Sequence, residues 1–245
     1  MADPARTPLG IPGLDQMLDG GLISGSIALL QGAPGTGKTT AGMQFLHDGA
    51  KNHGQAGLLV TFEQFPHTLY RDALAYGWNL RDLEQEGLLR VVFTSPQVFL
   101  ASLQSPTSPI NEAIREMGVK RAVVDSVTQF QSISREPVEL RAHYNHLING
   151  LRREGITGLL LSEDSGPDLV HGDRGRLSFA VDSVILLRYV EIDSVMQRAV
   201  AVLKTRGSDH DKSIRRFEIE RGGLVVREPF RGRAGLLSGV SRRTG

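Results

Sequence analysis

The chain has 245 residues, of which 40% are hydrophobic and 22% charged, the composition of an ordinary globular protein rather than a disordered or fibrous one. Its 28 basic and 27 acidic residues nearly cancel, so no whole-chain field draws nucleic acid or an anionic membrane surface. Zero cysteines exclude a disulfide framework and a thiolate metal site and agree with a reducing compartment. The opening MADPARTPLG lacks the apolar run of a signal peptide, and no stretch reaches the roughly 20 apolar residues that span a bilayer. These features read as a cytoplasmic protein with no membrane span.

The first strand signal is SIALLQ (26–31), and the segment after it places Phe45, Leu46, Gly49 and Ala50 on one helical face. GLLVTFE (57–63), LLRVVF (88–93) and RAVVDSV (121–127) read as further buried strands, and the amphipathic stretch 136–154 aligns Leu140, Tyr144, Leu147 and Leu151. ITGLLLS (156–162) closes the series. Strand followed by helix, repeated, predicts an α/β domain with a mostly parallel sheet and helices on both faces, because right-handed crossovers return each strand in the same direction. Ligands then gather at the strands' C-terminal edge. After Asp182 the runs VILLRYVEI, QRAVAVLKTRG, SIRRFEIER and GLVV are separated by short polar turns with no helix between them, which predicts a C-terminal antiparallel extension. Residues 1–229 are expected to form one domain, and 230–245, rich in Gly, Ser and Arg, a flexible basic tail.

The segment GAPGTGKT (32–39) fits G-x-x-x-x-G-K-[ST] and stands directly between a strand and a helix, as a phosphate-binding loop requires. Gly32, Gly35 and Gly37 allow successive N–H groups to turn inward around an anion. Lys38 supplies a mobile charge, Thr39 a hydroxyl for Mg2+, and the helix N-terminus a partial positive charge. Gly35, Thr36, Gly37, Lys38, Thr39 and Thr40 are therefore the expected ATP-binding residues. Asp125, ending RAVVD, is expected to hold the Mg2+ shell together with Thr39. Glu63, ending GLLVTFE, is placed to orient and deprotonate the attacking water, whereas Gln64 beside it has no such proton chemistry. Ser162 is a candidate sensor of the terminal phosphate. Trp78 is expected to pack, and the scattered histidines suggest no metal site beyond Mg2+.

Several stretches together carry a stronger signal: GIPGLDQMLDGGL, GAPGTGKTTAGMQFL, LLVTFEQFP, LAYGWNLRDLEQEGLL, AVVDSVTQF, and above all VILLRYVEIDSVMQRAVAVLKTRGSDHDKSIRRFEIERGGLVV. The chain resembles the KaiC family of RecA-like P-loop ATPases, whose clock member carries two such domains where this chain carries one. The resemblance implies a ring, usually a hexamer, with ATP between neighbouring subunits, Lys204 and Arg206 reaching into the adjacent site, and a protein partner. Its catalytic set here is Glu63, Lys38, Lys204 and Arg206, with one glutamate where the family carries two in succession. RLSFAVD (176–182) aligns with the family's autophosphorylation segment, with Ser178 on the serine acceptor and Phe179 replacing the neighbouring threonine. The resemblance favours a plain ATPase, with a weak autokinase at Ser178 as an added activity. Two alternatives stay open at this level: a RecA-type ATPase acting on single-stranded DNA, which near-neutral charge disfavours, and a nucleotide-dependent scaffold with incidental turnover.

Overall fold

A computed structural model of the chain describes residues 4–163, 174–238 and 242–243. In chain order its elements begin with β1 (Arg6–Thr7), α1 (Leu14–Met17), β2 (Leu22–Ile23), β3 (Ile27–Gly32) and α2 (Lys38–His53). Then follow β4 (Gly57–Thr61), α3 (Pro66–Ala75), α4 (Leu80–Gln85), β5 (Leu89–Phe93), α5 (Pro96–Gln104) and α6 (Pro109–Met117). The second half holds β6 (Arg121–Asp125), a 3-10 turn at Val127–Ser132, α7 (Pro137–Arg153), β7 (Thr157–Glu163) and α8 (Arg174–Ala180). The long strands β8 (Ser183–Ile192), β9 (Val195–Thr205), β10 (Arg215–Glu220) and β11 (Gly223–Pro229) complete the main sheet.

That sheet has nine strands in the order β11-β10-β9-β8-β3-β7-β6-β4-β5. From β5 through β8 every pairing is parallel, and from β8 to β11 every pairing is antiparallel. β8 thus plays both parts. Its first half lies parallel to β3, with Ala28 opposite Ser183 and Gly32 opposite Leu187, and its whole length forms a hairpin with β9. The hairpin turns on Asp193 and Ser194, both at positive φ (51° and 64°), the geometry that matches the twist of paired strands in a two-residue loop.

Alternation along the strands divides the core into two layers. Ala28 and Leu30 of β3 face the side packed by Ala41, Phe45 and Leu46 of α2, Leu69 of α3, Leu83 of α4 and the N-terminal Leu9 and Ile11. Ile27 and Leu29 face Phe99 of α5, Ile114 of α6 and Leu140, Leu147 and Leu151 of α7. Helices therefore cover both faces, which is why the parallel strands read as unbroken apolar runs. Trp78 is buried in the first layer, its ring centroid 5.5 Å from His47 and 5.1 Å from Tyr76. Past Phe230, Leu236 is buried in a third, smaller cluster with Val190, Ile192 and Ala199.

Two strands stop earlier than their apolar runs suggest. β4 ends at Thr61, whose hydroxyl accepts from the Gln64 N–H (3.2 Å) and donates to the Gln64 carbonyl (3.1 Å). This side-chain turn competes with the ladder and carries Glu63 out of the strand. β6 ends at Asp125, and the 3-10 turn takes over one residue later.

Candidate functional site

The C-terminal ends of β3, β4, β6 and β7 lie side by side in the sheet and open into one cavity of about 200 Å³. It is lined by Pro34, Gly35, Lys38 and Thr39 from the β3–α2 loop and helix start, and by Thr61, Glu63, Gln64, Asp125, Ser126 and Glu163 from the other strand ends. Four of the residues singled out for nucleotide chemistry, Lys38, Thr39, Glu63 and Asp125, thus meet around one space.

The loop is held from below as well as by its own glycines. Gly37 caps α2 at φ 103°, a left-handed conformation that disfavours a side chain, and a Cβ there would come within 2.7 Å of Ile219 Cδ1. Gly35 sits at φ 78°, and its carbonyl accepts the Tyr189 hydroxyl of β8 at 2.7 Å. Thr36 is fully buried, and its hydroxyl donates to the Ala33 carbonyl at 2.8 Å, so it shapes the loop rather than facing the cavity. Thr40 lies one step along α2, its hydroxyl 3.4 Å from that of Tyr76. Lys38 is only 8% exposed, its ammonium donating to the carbonyls of Gly32 (2.8 Å) and Ala33 (3.1 Å). The first turn of α2 points its N–H groups and positive dipole end at the same space.

Across the cavity Thr39 donates its hydroxyl to Asp125 Oδ2 at 2.7 Å. Desolvation pushes the Asp125 carboxyl above the usual carboxylate range; the Thr39 hydrogen bond and the Lys38 charge pull it back, while Glu63 and Glu163 push it further up. The peptide linking Asp125 to Ser126 is cis. Glu63 is exposed, and Gln129 of the 3-10 turn donates its side-chain amide to Oε1, which fixes where the carboxylate stands. Ser162 is outside the set of lining residues. Its hydroxyl lies 3.4 Å from that of Thr128, and the next residue, Glu163, is the one that reaches the cavity.

A family model described as "ATPase: KaiC" matches residues 7–230. The chain belongs to the KaiC family. Among KaiC relatives, circadian clock protein KaiC3 of Synechocystis sp. is 35% identical over 242 residues, 98% of this chain and 47% of that protein. The circadian clock oscillator protein KaiC of Acaryochloris marina is 33% identical over 241 residues, 98% of this chain and 45% of that protein. The chain spans about half the length of the curated relatives it matches. Among solved structures, a KaiC-like protein from the archaeon Pyrococcus horikoshii superposes with a TM-score of 0.82 at 30% identity, covering 92% of this chain and all of that one.

In this KaiC-family chain the KTRG cations are not among the residues lining the cavity. Lys204 donates to the carbonyls of Ser178 and Val181, both at 2.7 Å, and Arg206 to that of Phe179 at 2.6 Å. Both therefore cap the C-terminal end of α8, where a helix leaves carbonyls unpaired. Burial, and then the neighbouring Arg206, pull the Lys204 ammonium below its ordinary value. Ser178 is partly buried on α8 beside an exposed Phe179.

Gln129, Ser126, Glu163 and Tyr189 join this site without a role assigned from the sequence. Glu163 carries the plainest signal, since it directly follows the apolar run 156–162, as Glu63 and Asp125 each close an apolar run. Gln129 and Tyr189 carry none, because their contacts depend on how distant elements pack.

Proposed function

We propose that this chain binds ATP with Mg2+ and hydrolyses it at the interfaces of a ring made of its own copies, as a signalling or regulatory ATPase acting on a protein partner. The observation that carries the reading is the convergence of Lys38, Thr39, Asp125 and Glu63 on one cavity at the N-terminus of α2. The residues fit the group. A hydroxyl and a carboxylate 2.7 Å apart on the cavity wall form an all-oxygen donor pair suited to a hard cation, and Lys38 lines the same wall.

In this reading the main-chain N–H groups of 35–39 bind the phosphates, and Lys38 leaves the Gly32 and Ala33 carbonyls for the outer phosphate oxygens. Thr39 and Asp125 would hold Mg2+, which would supply charge neutralisation on the phosphates. Glu63, steadied by Gln129, orients the water and takes its proton. Lys204 and Arg206 sit at the end of α8, away from their own cavity, which suits cations offered to a neighbouring subunit's phosphates; such donation couples hydrolysis to assembly. Ser178, on the same α8, is the candidate acceptor of a weak autokinase. A cytoplasmic setting fits a chain without cysteine.

ATP turnover in Mg2+ measured beside the native mass tests the reading. Wild type should turn over as an oligomer, Lys38→Ala should fall by about 100-fold or more, and Glu63→Gln by about 100-fold. Wild-type rates in either folded variant overturn the site assignment. Label from the γ-phosphate appearing on wild type but not on Ser178→Ala tests the autokinase.

A further inference from the structure

The cavity carries more acid than the reading above uses. Glu63, Asp125 and Glu163 place three carboxylates on its wall, and among the described lining residues Lys38 holds the single positive charge. Ser126 lines the same space and is only 3% exposed, yet its hydroxyl has no hydrogen-bond partner among the described residues. A buried hydroxyl left unpaired costs about 1–3 kcal/mol, so one on a cavity wall marks where a ligand or its water completes the pairing.

The position of Glu163 is tightly set. β7 lies between β3 and β6, which puts Glu163 between the start of the phosphate loop and Asp125; its register partner is Gly32. Its N–H donates to the Thr128 hydroxyl at 2.9 Å, tying the strand end to the 3-10 turn that also carries Gln129. Magnesium keeps several waters when bound by protein and phosphate, and uses one or two carboxylates. Those waters donate hydrogen bonds, for which carboxylates and hydroxyls are the acceptors.

We propose that Glu163 and Ser126 complete the divalent-ion site: Glu163 as a second carboxylate that, with Asp125, holds the water shell of the ion, and the Ser126 hydroxyl as a hydrogen-bond partner of the same shell. This rests on the cavity being the Mg-ATP site. It assigns Glu163 a positioning role distinct from the proton transfer given to Glu63, and it balances the excess negative charge with the ion itself.

Mn2+ titrated into the full chain in the presence of a non-hydrolysable ATP analogue, followed by electron paramagnetic resonance, tests it without turnover. Glu163→Gln should weaken Mn2+ by about 10-fold or more, Glu163→Asp should recover part of the loss, and Ser126→Ala should weaken Mn2+ by a few-fold. In EDTA the analogue should bind Ser126→Ala as it binds wild type, and Glu163→Gln as well or better, because a negative charge facing the phosphates has gone. Thermal melts establish folding, and the Glu163→Asp and Ser126→Ala proteins decide the matter should Glu163→Gln not fold. Wild-type Mn2+ affinity in the folded variants, or equal loss of analogue affinity with and without metal, overturns the inference alone. Wild type that binds no analogue at all overturns the underlying reading with it.

Discussion

Asp15 offers a sharp test of the packing behind the phosphate site. It lies in the first turn of α1, and its carboxylate accepts from the N–H groups of Leu9 (2.6 Å) and Gly10 (3.0 Å), fixing the turn that lays the N-terminal segment over α2. Burial, and more weakly the nearby Asp48, push its pKa from 3.8 to about 6 despite those two donors. A folded pKa raised above the unfolded one means stability is fully present below about 3.8 and lost as pH rises through about 6. The whole effect is worth about 3 kcal/mol at most, since solvent screens part of the site, and about 1.3 kcal/mol of it falls between pH 5 and pH 7. Asparagine cannot titrate. Urea unfolding of wild type and Asp15→Asn at both pH values should therefore show wild type gaining about 1.3 kcal/mol more than the variant on going from pH 7 to pH 5. Equal gains in the two proteins, with unchanged m-values, would refute the argument that this carboxylate is held against its own ionisation.

Three further outcomes follow from the geometry. Gly37→Ala forces a Cβ into a left-handed conformation at a strain of about 1–2 kcal/mol and against Ile219, so the melting temperature should fall by about 5 °C and calorimetry on the folded variant should show ATP affinity lowered by about 10-fold or more; an unchanged affinity would mean the loop does not need this shape. Arg121 is fully buried, with hydrogen bonds to Gln55, to the Pro8 and Phe45 carbonyls and to Asp48, and its guanidinium lies 4.8 Å from the centre of the Phe45 ring. Arg121→Ala should cost about 3–5 kcal/mol, read as a fall of about 10 °C in melting temperature. If ATP is shared between subunits, Lys38→Ala and the double variant Lys204→Ala/Arg206→Ala, each inactive alone, should recover about a quarter of wild-type turnover when unfolded and refolded as a 1:1 mixture, because random assortment around a heterologous interface restores about one site in four; no recovery in mixed assemblies would confine the site to one chain.

How much of this was readable in advance depends on whether a feature is local. The phosphate loop is eight consecutive residues whose chemistry needs only the flanking strand and helix, so GAPGTGKT was legible as a unit. Asp125 and Glu63 were reachable because each follows an apolar strand and α/β sheets gather strand ends at one edge. Glu163 also follows an apolar run, but its place beside the loop depends on β7 entering between β3 and β6; Gln129 leaves no mark in residue spacing, since its contact depends on the 3-10 turn bringing it to Glu63. Arg121 shows the same limit from the other direction. An arginine opening an apolar strand reads as a solvated end, yet α2 comes close at Gly49, where a Cβ would stand 2.4 Å from the Arg121 Cδ, and the N-terminal segment closes over the charge. The short helices α3 to α6 each carry Pro or a polar residue at the first turn but too few turns for apolar periodicity to stand out.

The antiparallel extension also supports the loop between β3 and α2. Ile219 of β10 and Leu224 of β11 pack beneath Gly37, and Tyr189 of β8 holds the Gly35 carbonyl, so the loop's floor is built from strands more than 150 residues downstream. The α2 residue Gln44, buried, donates to the Gly10 and Leu224 carbonyls at 2.8 and 3.2 Å and accepts the Leu224 N–H at 2.7 Å, satisfying three main-chain groups with one amide. The helix that presents Lys38 and Thr39 is thereby bolted to both the N-terminal segment and β11. A loop of this sequence transplanted without β8–β11 would lose the contacts that hold Gly35 and Gly37 in place, and the entropy of ordering it would fall on nucleotide binding. Residues 183–229 therefore belong to the proposed nucleotide site as much as the glycines do, although none of them lines the cavity.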